Sequence, residues 1–463
     1  PPPPAARRPP LPLAPPPAQP GHAPHPPHPS RTVPGGITFD DNEITEIMLG
    51  QGNDTFTIDA TSDGTSGAGD YVVTVVHGGG NTILTDEHGN FVDENGDPSD
   101  DPIVGGDHII VTNGSIVEED LRTVAGPSSP LVIFGDTSQD GARYDSQPDD
   151  GIFTGNALFY GLAGNDVIDA SLNEHGVTIY GGLGNDTIWG SQAGDHLAGG
   201  SGNDTIYGEA GVDHIYGDSG FNLDYDVTKD ANDAAIVTRV LTVPTVNLST
   251  ILTSDPLLAG ADTIRAGAGD DIVLGDHGVI GQAAGTLRLL TTGSVLTVAT
   301  VETDNGTGDR IYGDEDDDIV IGGTGDDAVD GGSGEDLVFG DNVSLDRTST
   351  LGDFTNPRFR ALVGTELYGR GLDVNGEASG DVLVTDAWQV DPNGPASWGD
   401  FQIELDDADF GDDYIAGGAQ DDQIFGQLGV DIIQGDGSID LDVGEYDALN
   451  DAFIVNGSVE DHA

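Results

Sequence analysis

From residue 36 onward, the hydrophobic residues fall in short segments rich in Ile, Val and Leu, separated by Gly, Asn and Asp. None of these segments has the spacing of an amphipathic helix, and β-branched residues bounded by turn residues are typical of strands. Within 181–217 an aliphatic residue recurs every nine positions, and an aspartate stands two positions before each one. A short fixed period of this kind predicts stacked strands, so the fold class is expected to be all-β.

The same phase returns in later blocks and in isolated copies of the repeat. The aspartates that keep it are Asp54, Asp166, Asp186, Asp195, Asp204, Asp213, Asp262, Asp271, Asp309, Asp318, Asp327, Asp336, Asp413, Asp422 and Asp431. A disordered chain rich in Gly and Asp would not hold an aspartate and an aliphatic residue in register over so many copies. The order of the repeat therefore favours a folded solenoid over a low-complexity segment.

Each repeat reads Gly-Gly-x-Gly-x-Asp-x-U-x, where U is aliphatic, and this pattern predicts a tight turn followed by a short strand. The glycines are expected to adopt positive φ, which lets backbone carbonyl oxygens converge on the turn. The glycines singled out as part of the site are Gly182, Gly184, Gly200, Gly202, Gly323, Gly325, Gly332 and Gly334. If two repeats close one coil, turns on the same side lie about 4.8 Å apart, the spacing of adjacent strands.

This geometry stacks aspartates such as Asp186 and Asp204 above one another. Two like charges about 5 Å apart cost roughly 3 kcal/mol at an effective dielectric constant of about 20, so cations are expected between the turns. Carboxylate and carbonyl oxygens without nitrogen or sulfur ligands favour Ca²⁺ over Mg²⁺ or Zn²⁺. One buried aliphatic side chain contributes about 2 kcal/mol, whereas ordering nine residues costs on the order of 10 kcal/mol. Folding of the repeats is therefore predicted to depend on binding of several Ca²⁺ ions.

The composition agrees with a chain that binds cations. Among 463 residues there are 82 acidic and 14 basic ones, and the formal net charge is −68. Nucleic acid is excluded as a partner because phosphate binding needs clustered Lys and Arg. The sequence has no cysteine and no apolar stretch long enough to span a membrane. It begins with proline and has no signal-peptide core, which predicts a fragment or export without an N-terminal signal.

The repeat blocks alternate with inserts that lack the nonapeptide, and blocks tend to end in a Gly-Asp signature such as GDSG or GDHG. The inserts are expected to form β-hairpins or small β-lobes. In the less regular region 36–125, fragments such as GGDHIIVTNG are interpreted as degenerate repeats that have lost the calcium carboxylate. The predicted segments are a disordered Pro-rich arm (1–35), a degenerate solenoid or cap (36–125), a first repeat block (126–220), three units of insert plus repeat block (221–278, 279–343, 344–437) and a C-terminal tail (438–463).

Strings such as GGSGNDTIYG resemble the RTX family, the haemolysin-type calcium-binding nonapeptide repeats. More narrowly, the alternation of repeat blocks and inserts resembles segments of very large secreted bacterial surface proteins. The resemblance implies a parallel β-roll, Ca²⁺ held between turns, and type I secretion of an unfolded chain that folds outside the cell. Departures from the repeat, or the lack of a neighbouring copy, predict weaker sites at Asp54, Asp166, Asp262 and Asp318.

Two functions remain open at this point. The first is an extracellular structural or adhesive protein, such as a surface-layer, matrix or filament subunit, with Ca²⁺, further copies of itself and a cell-surface or matrix component as partners. The alternative is the export and folding module of a larger secreted toxin or hydrolase. The sequence contains neither HExxH nor GxSxG, so no enzymatic activity is expected.

Overall fold

The computed structural model describes much of the chain beyond residue 43. The described residues are 44–61, 73–80, 84, 98, 105–117, 122–125, 131–136, 164–229, 235–239, 259–283, 292, 295–347, 402–405, 410–420, 422–435, 437–439, 446–447 and 452–453. They belong to one unit, Phe39–Ala463. The predicted Pro-rich arm lies outside the described residues, as does most of the predicted C-terminal tail.

Two parallel sheets of ten strands each form the framework, which confirms the predicted parallel β-roll. Sheet A consists of β1 (Ile44–Gln51), β3 (Val73–Gly80), β7 (Leu131–Phe134), β9 (Thr178–Leu183), β11 (His196–Ser201), β13 (His214–Tyr216), β17 (Ile272–Leu274), β21 (Ile319–Gly323), β23 (Leu337–Asp341) and β27 (Gln423–Phe425). Sheet B consists of β2 (Thr55–Ile58), β4 (His108–Val111), β8 (Val167–Asp169), β10 (Thr187–Trp189), β12 (Thr205–Tyr207), β16 (Thr263–Ala268), β20 (Arg310–Glu315), β22 (Ala328–Asp330), β26 (Tyr414–Ala416) and β28 (Ile432–Gln434). The chain alternates between the sheets, so that one strand from each makes one coil.

The coils stack without interruption, although the repeats are interrupted in the sequence. Thr205 of β12 pairs with Thr263 of β16 across the whole intervening insert. Asp330 of β22 likewise pairs with Ala416 of β26. The sequence blocks are therefore parts of one continuous ladder, and each insert leaves it after a strand of sheet A and returns at the next strand of sheet B.

One aliphatic residue per strand points between the two sheets and makes the core. Ile188, Ile206 and Ile264 of sheet B meet residues such as Leu197 and Ile215 of sheet A, and all are fully buried. These residues are the aliphatic positions of the nonapeptide. Each one stands two positions after an aspartate. Because successive strand residues alternate between the faces of a sheet, this spacing determines on which side of the chain the aspartate lies.

The described part of each insert contributes an antiparallel pair of strands, which confirms the predicted hairpins, and the three pairs join in one six-stranded sheet instead of separate lobes. In spatial order, sheet C consists of β15 (Ala235–Arg239), β14 (Gly220–Lys229), β18 (Gly278–Ala283), β19 (Val295–Thr300), β24 (Val343–Asp346) and β25 (Gln402–Leu405). Successive inserts start at equivalent places, and Gly220 pairs in parallel with Gly278. Val298 and Leu345 of sheet C are buried in the same cluster as Leu274 and Phe339 of sheet A.

Two short hairpins complete the described strands, β5 (Gly114–Val117) with β6 (Arg122–Ala125) and β29 (Tyr446–Asp447) with β30 (Ala452–Phe453). The described residues contain strands but no α-helix. Accordingly, they include no helix of the length and apolarity needed to cross a membrane.

Candidate calcium sites

The aspartates of the nonapeptides lie in the turns between the sheets and form two ladders. The first ladder, on the turns from sheet A to sheet B, contains Asp54, Asp107, Asp166, Asp186, Asp204, Asp262, Asp309, Asp327, Asp413 and Asp431. The second ladder, on the turns from sheet B to sheet A, contains Asp195, Asp213, Asp271, Asp318, Asp336 and Asp422. All the predicted aspartates belong to one of the two ladders.

The same type of hydrogen bond repeats along both ladders. The backbone N–H of each aspartate that is followed by another rung donates to Oδ1 of the aspartate in the next coil, as from Asp186 to Asp204 (2.6 Å) and from Asp213 to Asp271 (2.7 Å). This bond orients the carboxylate, because one of its oxygens is fixed on the backbone of the preceding coil. The other oxygen, Oδ2, is then directed into the turn.

Many of these Oδ2 atoms are buried without a hydrogen-bond donor among the described residues. They are the Oδ2 atoms of Asp186, Asp204, Asp213, Asp262, Asp271, Asp309, Asp318, Asp327, Asp336 and Asp413. A buried acceptor that lacks a partner costs about 1–3 kcal/mol, and more when it is charged. A penalty repeated at so many equivalent positions calls for a common cationic partner.

The first glycine of each turn leaves a space that a side chain would fill. A Cβ atom on Gly199 would lie less than 3.0 Å from both Oδ2 of Asp204 and the carbonyl oxygen of Gly217 in the next coil. The same pair of oxygens, one carboxylate and one carbonyl, faces Gly322, where they come from Asp327 and Gly340. The space is thus lined by the oxygen ligands that Ca²⁺ prefers.

No group of three or more His, Asp or Glu side chains among the described residues is arranged to hold a metal ion. A cation in these turns must therefore take part of its ligands from backbone carbonyl groups. The mixed oxygen set beside the first glycine of each turn fits that requirement, and it fits Ca²⁺ better than ions that favour His or Cys.

Burial and mutual repulsion raise the pKa values of many of the buried ladder carboxyls. Burial raises the pKa of Asp271 to about 8 and that of Asp413 to about 7. Burial, and secondarily the carboxylate of Asp204, holds the pKa of Asp186 well above its usual range. A carboxyl in this environment takes up either a proton or a metal ion, since an isolated buried charge is unfavourable.

Three of the four aspartates that were expected to make weaker sites occupy regular ladder positions. Asp262 and Asp318 are both buried, and each accepts a backbone N–H from the preceding coil. Asp166 lies between Asp107 and Asp186 in the first ladder. Only Asp54 differs, because it is the first rung of its ladder and stays partly exposed.

Seven of the eight predicted glycines adopt positive φ, as expected, with values from 98° at Gly332 to 130° at Gly184. Gly334 lies outside the left-handed region, which corrects the prediction there. Conversely, Asp314 (φ 75°) and Asp316 (φ 78°) replace glycines in the turn before Asp318 and still keep the left-handed conformation. The stacked neighbours thus impose the turn geometry even where the sequence departs from glycine.

Asp107 is a ladder residue that the sequence interpretation missed. The GGDHIIVTNG fragment was interpreted as having lost its carboxylate, which is wrong, because Asp107 is 1% exposed and donates its N–H to Asp166. The signal was present in the sequence, since Asp107 stands two positions before the buried Ile109. It was obscured because the turn before it lacks the usual glycine spacing.

A second missed set is the aspartate of the Gly-Asp signatures. Each one accepts a backbone N–H where the chain comes back from an insert: Asp218 from Gly260 (3.0 Å), Asp276 from Thr307 (3.1 Å) and Asp341 from Gly411 (2.9 Å). Asp276 and Asp341 also accept an N–H from the following coil, that of Thr324 and that of Leu428. We call Asp218, Asp276 and Asp341 the return aspartates, because they fasten the returning turn to the coil from which the insert left.

Comparison with known proteins identifies the repeats. The family model for the RTX calcium-binding nonapeptide repeat matches residues 153–172, 177–193, 189–223, 258–278, 304–341 and 407–441. No curated protein and no solved structure matches the chain. The matched segments contain most rungs of both ladders, whereas Asp54 and Asp107 lie outside them.

Proposed function

We propose that this chain, which carries RTX calcium-binding nonapeptide repeats between residues 153 and 441, is an extracellular structural or adhesive protein whose coils are held together by several Ca²⁺ ions. The observation that carries the proposal is the repeated buried Oδ2 atom, which faces a backbone carbonyl oxygen beside the first glycine of a turn. Calcium would supply the positive charge that balances the buried carboxylates there.

The residues of the chain have separate tasks in this arrangement. Oδ2 of Asp204 and the carbonyl oxygen of Gly217 would hold an ion, and Gly199 leaves the room for it. Oδ1 of Asp204 stays on the N–H of Asp186 and keeps the carboxylate oriented. Because each aspartate contacts the coil before it, binding in one turn supports the stacking of two coils.

Equilibrium dialysis with radioactive calcium tests the assignment of the ladders as the binding sites. The wild-type chain should bind several ions, and Asp204→Asn should bind fewer, since an amide cannot replace the carboxylate charge. Asp304→Asn is the matched control because Asp304 is an exposed aspartate outside both ladders. Equal calcium binding by all three proteins would refute the assignment.

An extracellular location is supported by the repeats and by the charge. RTX repeats are typical of proteins exported by type I secretion, and a net charge of −68 needs the abundant calcium of an extracellular medium to fold. An antibody against residues 164–220 should therefore label intact cells of the source organism, or detect the protein in the medium. Labelling only after permeabilisation would contradict the proposal.

A structural role is favoured over catalysis by the way in which the inserts are used. Their described strands form sheet C, which packs against sheet A. The motifs of zinc proteases and lipases are absent from the sequence. We therefore propose that the protein is not an enzyme and that it acts through its surface, in contact with other copies or with a cell-surface or matrix component.

A further inference from the structure

The first coil (β1 and β2) and the last coil (β27 and β28) are the two ends of sheets A and B. In the part of the chain that the structure describes, no strand pairs with their outer edges. Ile415 of β26 is fully buried, whereas Ile433, which occupies the same position in β28, is 48% exposed. At the other end, Ile47 and Phe56 are only partly buried against the core.

The glycines show in which direction each end of the stack is open. A Cβ atom on Gly417 would meet the carbonyl oxygen of Gly435 in the next coil, but a Cβ atom on Gly435 would meet nothing within 4 Å. A Cβ atom on Gly79 would meet the carbonyl oxygen of Gly50 in the preceding coil, and one on Gly50 would again meet nothing. The last coil is therefore open toward a following coil, and the first coil toward a preceding one.

The hydrogen-bonding direction of the first ladder is the same at both ends. The N–H of Asp413 donates to Oδ1 of Asp431, and that of Asp54 donates to Oδ1 of Asp107. A following coil would therefore present its Oδ1 to the N–H of Asp431. Asp54 has this geometry, since it is the first rung of its ladder and no described coil precedes it.

We propose that the last coil of one copy docks on the first coil of a second copy, with β27 beside β1 and β28 beside β2, in the parallel register of the solenoid. The inference rests on the proposed function, because both end coils must first fold with calcium. The exposed side chains of Val430 (76%), Ile432 (56%) and Ile433 (48%) lie on the last coil, where docking would remove apolar surface from water. A head-to-tail contact of this kind leaves a free first coil and a free last coil on a pair of copies, so further copies can add in a row.

Sedimentation velocity of the full chain in saturating calcium tests the docking. The wild type should form a concentration-dependent series of species larger than a monomer, and Ile433→Lys should remain monomeric, because the charge would be buried against the partner's first coil. Leu172→Lys is the matched control, since Leu172 is 64% exposed but lies on a turn within the stack, away from both ends. It should assemble like the wild type.

Mixing gives a sharper test of direction. Ile433→Lys keeps an intact first coil, so it should add to the last coil of the wild type, stop growth there and shorten the wild-type species. Far-UV circular dichroism in calcium and in chelator is measured for each protein alongside sedimentation. A wild type that folds with calcium but sediments only as a monomer would overturn the docking alone, and so would Ile433→Lys assembling like the wild type. A chain that does not respond to calcium would overturn the proposed function as well.

Discussion

The glycine at the start of each turn gives the most specific prediction of the calcium sites. Replacing Gly199 with alanine would place a methyl group less than 3.0 Å from Oδ2 of Asp204 and from the carbonyl oxygen of Gly217. Gly435 occupies the same position of the repeat after the last strand of sheet B, and a methyl group there would meet nothing within 4 Å. Neither glycine is in the left-handed region, so the backbone accepts alanine at both positions.

The expected magnitude follows from this difference in space. Forcing a methyl group into a filled site costs about 1–3 kcal/mol, whereas a tolerated Gly→Ala change stabilises a protein by about 0.4–1 kcal/mol through the unfolded chain. If the cost falls on one ion, the calcium affinity of that turn decreases by between about fivefold and about 150-fold, because about 1.4 kcal/mol is a factor of ten. Gly435→Ala should be neutral or slightly stabilising.

Calcium titration followed by far-UV circular dichroism and by isothermal calorimetry measures both quantities. Gly199→Ala should shift the folding midpoint to higher calcium and remove at least one tight site from the binding isotherm. Gly435→Ala should overlay on the wild type. The explanation is wrong if the two variants have the same midpoint and stoichiometry, because the space beside Gly199 would then have no part in holding an ion.

Three further predictions follow from the ladders and the return aspartates. Asp218→Ala should lower the free energy of unfolding in saturating calcium by about 1–3 kcal/mol, measured with guanidinium, because the N–H of Gly260 loses its acceptor. Asp218→Asn should lower it less. If both variants are as stable as the wild type, Asp218 does not fasten the returning chain. Asp107→Asn should reduce the calcium bound in equilibrium dialysis, although Asp107 lies outside the matched repeats; an unchanged amount would remove it from the sites. Without calcium, β content at low salt should rise as the pH falls from about 8 toward about 4, since burial raises the pKa of Asp271 to about 8 from 3.8. Because the folded chain binds more protons than the unfolded chain in that window, each such carboxyl raises the free energy of unfolding by about 1.4 kcal/mol per pH unit of acidification. A β content that falls on acidification would refute the assignment of buried carboxyls.

The aspartate ladders and the aliphatic core could be predicted because one spacing determines both. The repeat has a period of nine residues, with an aspartate two positions before an aliphatic residue. This spacing determines that the aliphatic residue faces the core and that the aspartate lies in the turn. For Ile188 and Ile206, or Asp186 and Asp204, counting along the sequence was therefore sufficient. The parallel β-roll itself is confirmed for the same reason.

The continuity of the ladders across the inserts could not be predicted by counting. Asp204 and Asp262 are 58 residues apart in the sequence but are neighbours in space. Their contact depends on where the returning chain is fastened, which in turn depends on Asp218. In the sequence a single aspartate after a glycine only marked the end of a block, so its hydrogen bonds to a later segment gave no local signal.

The joining of the inserts into sheet C was equally inaccessible to the sequence. The hairpins pair with one another, β14 with β18 and β19 with β24, so no insert considered alone contains this information. Each insert predicted its own hairpin, which is confirmed, because its own turns and alternation were visible. The parallel pairing arises because successive inserts leave consecutive coils at the same position, and the stacking of the coils then sets their register.

Far-UV circular dichroism of the full chain, first in chelator at neutral pH and then with added calcium, tests most directly whether calcium holds the coils together. In chelator the spectrum should be that of a largely unfolded chain, because the ladders bring many buried carboxylates close together with no compensating charge. Added calcium should produce the spectrum of a β protein in a cooperative transition, and the same concentration of magnesium should not. Full β content in chelator would contradict the account.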